Sequence, residues 1–272
     1  MVKTLPALTA GTQAMLDALV VQSGWNQTAQ DWAIFSRHGS ICAVRDAQGR
    51  IIASGAVLPM GDTAAWISMI LVAPEARGQG LGRRVFEHCL REVQDAHRTA
   101  MLDATPAGEH IYSQFAFASL WRLTRWQRDA APGPVPAPRS DKFSLDTLAA
   151  LDAEALGFSR RAVLADLLAR EGTRVARNPR GFAIVRTGRI AHHIGPLLAT
   201  DETAAAALLR DIAPSVPGRV FVDVPDARPA LRLQLSAAGF TPQRGFVRMA
   251  LGEQAPTGQT AFIHAVAGPE FG

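Results

Sequence analysis

The sequence contains very little of three residue types that often carry chemistry: it has two cysteines, two lysines and one tyrosine among 272 residues. Two cysteines, Cys42 and Cys89, exclude a disulfide framework and provide no metal-ligand spacing, so we expect buried thiols and no metal site. No apolar run reaches the ~18 residues of a membrane-spanning helix. The N-terminal stretch is interrupted by Pro6 and Asp17, which argues against a secretory signal. These absences favour a cytoplasmic protein that does not insert into a membrane.

Positive charge comes almost entirely from arginine. The net charge is +4, and the arginines are scattered along the chain without interleaved aromatic residues, so we expect no nucleic-acid partner. A hydrophobic content of 48% with 19% charged residues is typical of a globular enzyme. The chain is long for one ordinary domain and sufficient for two domains of about 130 residues.

The most specific feature is a glycine-rich loop between a strand and a helix. An apolar strand from Trp66 to Val72 leads into a loop in which Gly78, Gly80 and Gly82 alternate with other residues. The helix that follows is predicted by apolar residues at helical spacing, namely Leu81, Val85, Phe86, Cys89, Leu90 and Val93. Because glycine has no Cβ, consecutive backbone N–H groups can converge on an anion at the positive end of this helix. The loop predicts a pyrophosphate-binding site; the alternative is a turn that only packs the helix on the strand.

The loop differs from two other nucleotide-binding motifs. A Walker A loop requires Gly-Lys-Ser/Thr at the helix start, where this chain has Gly82-Arg83-Arg84, and the dinucleotide fingerprint requires a different glycine spacing. The segment Arg77-Gly78-Gln79-Gly80-Leu81-Gly82 resembles instead the acyl-CoA loop of the GNAT superfamily of N-acyltransferases, whose pattern is Arg/Gln-x-x-Gly-x-Gly/Ala. The preceding Val72-x-Pro74-x-x-Arg77 also matches.

The resemblance implies acetyl-CoA as the co-substrate. The backbone of Ile70, Leu71 and Val72 is expected to pair with the pantetheine arm like an added strand. A backbone N–H at the end of that strand is expected to stabilise the oxyanion of the thioester carbonyl. The expected pyrophosphate-binding residues are those of the loop and of the first helical turn: Arg77, Gly78, Gln79, Gly80, Leu81, Gly82 and Arg83.

Tyr112, the single tyrosine, is the expected general acid. The predicted elements around it are a strand, a helix and a strand: Thr99 to Thr105, Gly108 to Phe115 and Leu120 to Gln127. The sequence from Tyr112 to Phe117 resembles the family segment that carries the catalytic tyrosine, with Ala116 in place of the family's glycine. A phenol with pKa ~10 stays protonated at neutral pH and can protonate the departing thiolate. The alternative is a structural tyrosine at an interface.

The clearest break in the chain is the segment from Ala131 to Pro138, in which four prolines predict an extended spacer. We therefore expect a catalytic domain over 1–130, a Pro-rich linker over 131–140 and a second domain over 141–272. The elements predicted after the linker are Leu145 to Leu156, Ser159 to Arg170, Glu202 to Ile212 and Pro229 to Ala238 as helices, and Phe182 to Val185, Ile190 to Ala199, Val220 to Val224 and Phe246 to Leu251 as strands. This order repeats that of the first half and indicates a duplicated unit. The alternative is two unrelated α/β domains.

The second copy lacks the residues that would carry the chemistry. Asp201-Glu202-Thr203 stands where the glycine loop stood, and its carboxylates would repel a pyrophosphate, while Leu235 stands in the place of Tyr112. This arrangement resembles bacterial tandem GNAT proteins whose degenerate second half completes the substrate pocket or the interface. Gly24-Trp25-Asn26 and the closing Gly268-Pro269-Glu270-Phe271-Gly272 also match that group.

The expected fold class is α/β (α+β), with tandem GNAT-like domains, each a mixed, mostly antiparallel twisted sheet flanked by helices. We expect the two sheets to share an apolar interface.

Candidate residues that could act on the amine acceptor follow from their position in the chain. Asp103, at the end of the strand that precedes the tyrosine helix, is the candidate base; the alternative, favoured by turn chemistry, is that it caps the turn before Pro106. Asn26 is a candidate to bind substrate or to cap the following helix. His192 and His193 have no Cys or carboxylate at ligand spacing, so we expect no metal there.

The predicted function is an N-acetyltransferase that moves the acetyl group from acetyl-CoA to a primary amine. The acceptor is a small-molecule amine or a protein N-terminus. Direct attack in a ternary complex is favoured because neither cysteine lies in a nucleophile–base arrangement near the loop. The alternative from a different class is a non-catalytic acyl-CoA-binding protein that senses CoA status. An alternative to a monomer is a homodimer.

Overall fold

The computed structural model describes residues 1–129, 144–252 and 255–272. The predicted linker over 131–140 lies outside these residues. The elements of the first half are, in chain order, β1 Val2–Thr4, α1 Ala10–Gln22, α2 Ala29–His38, β2 Ser40–Arg45, β3 Ile51–Met60, β4 Ala64–Val72, α3 Leu81–Asp95, β5 Thr99–Ala104, α4 Pro106–Ser113 and β6 Phe117–Arg128. Those of the second half are α5 Leu145–Leu156, α6 Arg161–Ala169, β7 Arg174–Asn178, β8 Gly181–Thr187, β9 His192–Ala199, α7 Glu202–Ile212, β10 Val220–Pro225, α8 Pro229–Ala237, β11 Thr241–Leu251 and β12 Ile263–Ala265.

The two halves have the same order of elements. From α1 to β6 and from α5 to β11, the described chain runs α-α-β-β-β-α-β-α-β. A duplicated unit gives this order directly, because each copy must bury the same strand and helix faces. None of the described helices is long and apolar enough to cross a bilayer.

The described strands form one continuous sheet. Its order is β1-β2-β3-β4-β5-β11-β6-β10-β9-β8-β7, with β12 beside β9. The β4–β5 and β9–β10 pairs are parallel, whereas the other pairs are antiparallel. The sheet is therefore mixed and mostly antiparallel, as expected.

The last long strand of each half lies in the sheet region built by the other half. β11 pairs with β5 along one edge and with β6 along the other, and β6 lies between β11 and β10. The expectation of two sheets that meet through an apolar interface is corrected by this exchange. The halves are joined by backbone hydrogen bonds, and neither half completes its own sheet without a strand from the other.

The exchanged strands are longer than the sequence pattern indicates. β6 begins at Phe117 rather than Leu120, and β11 begins at Thr241 rather than Phe246. The added residues are mostly exposed and have no apolar alternation, so periodicity does not reveal them. They are held as strand by pairing of β6 with β11, which extends from Phe117 opposite Leu251 to Gln127 opposite Thr241.

Helix α3, which follows the glycine-rich loop, packs on the sheet of the first half. Its buried residues are the six that the sequence predicts, Leu81, Val85, Phe86, Cys89, Leu90 and Val93. These residues recur at helical spacing and form one apolar stripe against β3 and β4. Burial of this stripe directs the helix N-terminus toward the end of β4.

Candidate active site between two diverging strands

The parallel strands β4 and β5 separate in the middle of the sheet. Their pairing runs from Ala64 opposite Thr99 to Trp66 opposite Met101 and then stops, although β4 continues to Val72. Beyond Trp66, the edge of β4 that faces β5 therefore has no partner strand among the described residues. An unpaired strand edge offers backbone donors and acceptors to an extended ligand.

A β-bulge lies in this unpaired part of β4. The register with β3 shifts between Ser54 and Ala56, and Met69 has a left-handed backbone with φ of 57°. Such a backbone is costly for a non-glycine residue, and bulges of this kind are frequent next to active sites. The Ser54 hydroxyl donates to the Met69 carbonyl oxygen at 3.1 Å and holds the bulge. The bulge adds one residue to β4 in the segment that has no partner on the β5 side among the described residues.

The glycine loop ends at an uncapped helix. Gly78 and Gly80 have φ of 75° and 71°, a backbone region that side chains with a Cβ rarely adopt. Gly80 is the N-cap of α3, and no side chain caps the helix there. The first N–H groups of a helix have no partner within the helix, and an anion with several oxygens satisfies them. The loop and the free β4 edge are therefore a suitable binding surface for an acyl-CoA.

The corresponding helix of the second half is already capped. Asp201 is the N-cap of α7, and its Oδ1 accepts a hydrogen bond from the Ala204 N–H at 2.9 Å. That bond, and the charge of Arg180, lower the pKa of Asp201, so the helix start carries a carboxylate where α3 has none. A pyrophosphate would be repelled by this negative charge.

The flanking arginines are held near the loop. The Nε of Arg77 donates to the Val72 carbonyl oxygen at 3.3 Å. Arg83 forms an ion pair with Glu87 at 2.9 Å and lies over the Phe115 ring at 4.7 Å. Both side chains are exposed, so the charge on them remains available to a polyanion at the surface.

Tyr112 projects from α4 toward the gap between the strands. Its ring packs against Phe86 with centroids 4.6 Å apart. Gly108, one turn earlier, leaves room for this ring, because a Cβ at that position would lie 2.9 Å from the Tyr112 Cε2 atom. Burial raises the pKa of Tyr112, so the phenol stays protonated throughout the physiological range. The hydroxyl is a proton donor rather than a base.

The turn after α4 has the left-handed backbone that glycine favours, although this chain has Ala116 in place of the family's glycine. Ala116 has φ of 61°, a left-handed backbone that is unfavourable for alanine by ~1 kcal/mol or more. The substitution of glycine by alanine therefore leaves the local path unchanged and adds strain.

A cavity of about 100 Å³ lies where β4 and β5 separate. Residues of both halves line it: Trp25, Gln27, Ile67, Ser68, Met69, Ile70, Leu102, Asp103, Thr105, Tyr112 and Arg125 from the first half, and Arg244, Phe246, Pro269 and Glu270 from the second. The strand exchange carries β11 into the site, and the C-terminal tail closes over it. Of the residues predicted for the site, Ile70, Asp103 and Tyr112 reach this cavity.

Glu270 is a buried carboxylate in this cavity that sequence reasoning did not identify as a site residue. One of its oxygens accepts from the Gln27 side-chain amide at 2.9 Å, and the other is paired with Arg186 at 2.8 Å. Burial raises the pKa of Glu270, with Arg186 opposing the shift. A carboxyl with a raised pKa takes a proton more readily than an exposed one.

The tail that carries Glu270 is fixed by three contacts. The Trp66 indole donates to the Pro269 carbonyl oxygen at 2.8 Å. Arg160 donates to the carbonyl oxygens of Phe271 and Gly272. The signal available in the sequence was the closing pentapeptide, which matched the tandem family without indicating that its carboxylate reaches the cavity.

Asp103 lies in the cavity wall with both oxygens occupied. The Arg248 guanidinium contacts them at 2.9 and 2.8 Å. Burial raises the pKa of Asp103, and Arg248 opposes the rise. The turn-cap interpretation is wrong, because the Thr105 side chain caps α4 by accepting from the Gly108 N–H at 3.2 Å. One guanidinium binds both oxygens of Asp103, whereas one oxygen of Glu270 contacts the neutral side-chain amide of Gln27, so Glu270 is the better candidate for a base.

Asn26 connects the two halves and neither lines the cavity nor caps a helix. Its Oδ1 accepts from the backbone N–H groups of Ile190 and Ala191 at 3.0 and 2.9 Å. Helix α2 is instead capped by Thr28. Both interpretations of Asn26 are thereby corrected, because its side chain is used to hold a turn of the second half.

A chain of buried polar contacts runs from the centre of the sheet to Glu270. Arg125 binds Asp223 through two contacts of 2.7 Å, Asp223 accepts from His193 at 3.1 Å, and His193 contacts Arg186 at 2.9 Å. Burial opposes ionisation of Asp223, but Arg125 outweighs it and holds the pKa of that carboxyl well below its usual range. Burial and the charge of Arg186 lower the pKa of His193 to about 4, so the imidazole is neutral at physiological pH.

His193 is thus part of this chain rather than a metal ligand. In the parts of the chain that the structure describes, no group of three or more His, Cys, Asp or Glu side chains is placed to hold a metal ion.

Comparison with known proteins assigns both halves to one family. The model for the acetyltransferase (GNAT) family matches residues 13–117, and that for the acetyltransferase (GNAT) domain matches residues 148–264. Holothin acyltransferase from Pseudoalteromonas sp. (strain SANK 73390) is 27% identical over 243 residues, which cover 81% of this chain and 78% of that protein.

Solved structures show the same fold. The crystal structure of a putative acetyltransferase from Pyrococcus horikoshii superposes with a TM-score of 0.82 at 17% identity and covers 100% of this chain and 95% of that chain. A tandem GNAT protein from the clavulanic acid biosynthesis pathway superposes with a TM-score of 0.61 at 18% identity, over 93% of this chain and 99% of that chain. The fold and the site define a two-domain α/β acyltransferase. The chain belongs to the GNAT acetyltransferase family, carries a GNAT domain in each half and is an N-acyltransferase of the tandem GNAT type.

Proposed function

We propose that the protein transfers the acetyl group of acetyl-CoA to a primary amine by direct attack in a ternary complex, in the cavity between β4 and β5. The observation that carries this proposal is that a proton donor, Tyr112, and a carboxylate with a raised pKa, Glu270, line one cavity beside an unpaired strand edge. Acyl transfer to an amine needs one group to accept a proton and another to donate one.

The residues that would hold acetyl-CoA are those predicted from the loop. Its pyrophosphate would lie on the backbone N–H groups from Gly78 to Arg83, and its pantetheine arm along Ile70, Leu71 and Val72. Bound acetyl-CoA supplies an activated acyl group. A backbone N–H of the β4 bulge would stabilise negative charge on the acyl oxygen.

The proton-transfer roles follow from the two environments. Glu270 accepts the proton that the attacking amine loses, and its raised pKa favours that step. Tyr112 donates its proton to the sulfur that leaves, because its hydroxyl stays protonated near neutral pH. Neither Cys42 nor Cys89 lines the cavity; their sulfurs lie 3.5 Å apart and both residues are buried in the core. A covalent acyl-cysteine is therefore not part of the scheme.

The size of the cavity favours a small amine over a protein N-terminus. Residues of both halves and the C-terminal tail line this cavity of about 100 Å³, which favours a compact small molecule over a protein chain. We further propose that the protein works in the cytoplasm, where acetyl-CoA is available and free thiols stay reduced, and that it binds one acetyl-CoA per chain.

A thiol-release assay tests this function. The protein is mixed with acetyl-CoA and a panel of small primary amines, and free CoA is followed in wild type and in the Tyr112→Phe variant. Amine-dependent release that falls in the variant supports the proposal. Tight acetyl-CoA binding without amine-dependent release from any member would favour a CoA-sensing protein instead.

A further inference from the structure

Three polar atoms around the cavity have no hydrogen-bond partner among the described residues. They are the Gln27 Oε1, the Ser68 Oγ and the Arg244 Nε. Buried polar atoms in folded proteins are nearly always hydrogen-bonded, so each of these three is available to a water molecule or a ligand in the cavity. Because all three belong to residues that line the same cavity, one bound substrate could contact all of them.

The charges around the cavity leave one cation unbalanced. Arg125 is paired with Asp223, Arg248 with Asp103, and Arg186 with Glu270. Arg244 forms neither a hydrogen bond nor an ion pair with the described residues, and its guanidinium lies over the Phe246 ring at 4.9 Å. Asp223 and Glu270 act on Arg244 only through space. Burial, together with the charge of Arg125, lowers the pKa of Arg244 to about 10. A ligand anion in direct contact would therefore stabilise this guanidinium.

A bulge in β11 directs Arg244 into the cavity. The register with β6 shifts between Pro242, opposite Trp126, and Arg244, opposite Arg125, which leaves Gln243 as an extra residue. A one-residue shift moves a side chain to the other face of a sheet. Arg244 and Phe246 therefore share the face that lines the cavity.

We propose that the acceptor is a small amine that also carries a carboxylate, as an amino acid does, with the carboxylate bound by Arg244. This inference rests on the proposed function. The guanidinium fork matches the two oxygens of a carboxylate. The unpartnered Gln27 Oε1 accepts an N–H of the substrate amine, and Glu270, bonded to the same Gln27 side chain, receives the proton that the amine loses. A second ammonium group, as in a polyamine, would be repelled by the positive charge of Arg244.

The transfer balances for such a substrate. The amine nitrogen forms a bond to the acetyl carbon, and the bond from that carbon to sulfur breaks. The proton lost by nitrogen goes to Glu270, and the sulfur takes a proton from Tyr112, so that an N-acetyl amino acid and CoA leave. The carboxylate is unchanged and serves only to hold the substrate.

The test compares acids with their uncharged counterparts. Apolar walls from Trp25 and Phe246 suggest L-leucine and L-phenylalanine as probes, each matched with its carboxamide and its decarboxylated amine. Thiol release gives kcat/KM for each member. Calorimetry with N-acetyl-L-leucine and N-acetyl-L-leucinamide measures binding without any turnover. The variants are Arg244→Gln, Arg244→Lys and, as a matched surface control, Arg50→Gln, whose arginine lies in the exposed turn before β3.

We expect the wild type to favour the acid over the amide by tenfold or more, a ratio that corresponds to ~1.4 kcal/mol. Arg244→Gln should bring that ratio close to one, Arg244→Lys should keep part of it, and Arg50→Gln should leave it unchanged. Equal binding and turnover of acids and amides, or a ratio that survives in Arg244→Gln, would overturn the inference. Preferential binding of the acid through Arg244 without thiol release from any amine would support this subsite and contradict the proposed transfer.

Discussion

Replacing Glu270 by glutamine removes the proposed base with almost no change in shape. Loss of a general base lowers a rate typically 10²- to 10⁴-fold, which corresponds to about 3 to 5 kcal/mol of transition-state stabilisation. We therefore expect kcat/KM of the Glu270→Gln variant to fall at least about 100-fold. Acetyl-CoA affinity should remain close to that of wild type, because Glu270 belongs to the acceptor side of the cavity.

The same substitution also weakens the fold, and the structure indicates by how much. Glu270 is the anion paired with the buried Arg186, and removal of one partner of a buried pair costs about 3 to 5 kcal/mol. Arg186 keeps its contacts with the Gly195 carbonyl oxygen at 3.0 Å and with His193, so the lower end of that range is expected. A native domain with about 5 to 15 kcal/mol of stability tolerates this loss at moderate temperature.

A matched control separates the two effects. Asp152 and Arg160 form a second fully buried pair that does not line the cavity. Asp152→Asn should lower the free energy of unfolding in urea by a similar amount, while Arg160 keeps its contacts with the C-terminal carbonyl oxygens. Its kcat/KM should stay within about threefold of wild type.

The pH profile gives an independent check of the base. A base works only when deprotonated, so kcat/KM of the wild type should rise with pH through the pKa of Glu270, which burial places above that of an ordinary glutamate. The Glu270→Gln variant should lose that rise. A folded Glu270→Gln variant with kcat/KM near that of wild type would refute the assignment of Glu270 as the base. A variant whose kcat/KM still rises with pH in the acid range as in wild type would refute it too.

Further predictions concern the proposed general acid Tyr112, the glycine loop, the buried His193 and the strained Ala116. Tyr112→Phe should reduce kcat ~100-fold or more with acetyl-CoA affinity unchanged, measured by thiol release and calorimetry; an unchanged kcat with chemistry rate-limiting would make the tyrosine structural. Gly80→Glu should weaken acetyl-CoA binding at least ~10-fold, and wild type should titrate with one acetyl-CoA per chain rather than two. The pKa of His193 is lowered to about 4, so its contribution to stability is present above pH ~6.5 and is lost as the pH falls toward 4. The pKa of His264 is lowered in the same way, so both residues destabilise the fold across that window; in urea unfolding, His193→Gln should reduce the loss by about 3 kcal/mol and exposed His110→Gln should leave it unchanged. Ala116→Gly should raise the free energy of unfolding by up to ~1 kcal/mol, since it removes left-handed strain, and a lower thermal midpoint would contradict that account.

The cofactor side of the site could be predicted from sequence because its signals are local. The loop from Gly78 to Gly82, the apolar stripe of α3 and the position of Tyr112 all lie within a stretch of about forty residues. Backbone conformation, helix dipole and side-chain spacing determine such features without reference to the rest of the chain.

The acceptor side could not be predicted because it depends on contacts that are distant in sequence. Glu270 reaches the cavity only when the tail contacts Trp66 and Arg160. Arg244 enters through the exchange of β11, and the polar half of that strand has no pattern that indicates its partner. Asp103 and Asn26 were singled out by position alone, whereas the structure shows their side chains bonded to Arg248 and to the turn at 190–191.

The most direct test of the account follows both products of one turnover in the same sample. Protein is mixed with a stoichiometric amount of acetyl-CoA and an excess of a small amine that carries a carboxylate, and mass spectrometry quantifies free CoA, N-acetylated amine and acetylated protein over time. We expect free CoA and N-acetylated amine to appear together in equal amounts, with no acetylated cysteine at any time. Release of CoA without N-acetylated amine, or an acetyl group that appears first on the protein, would contradict direct transfer in this cavity.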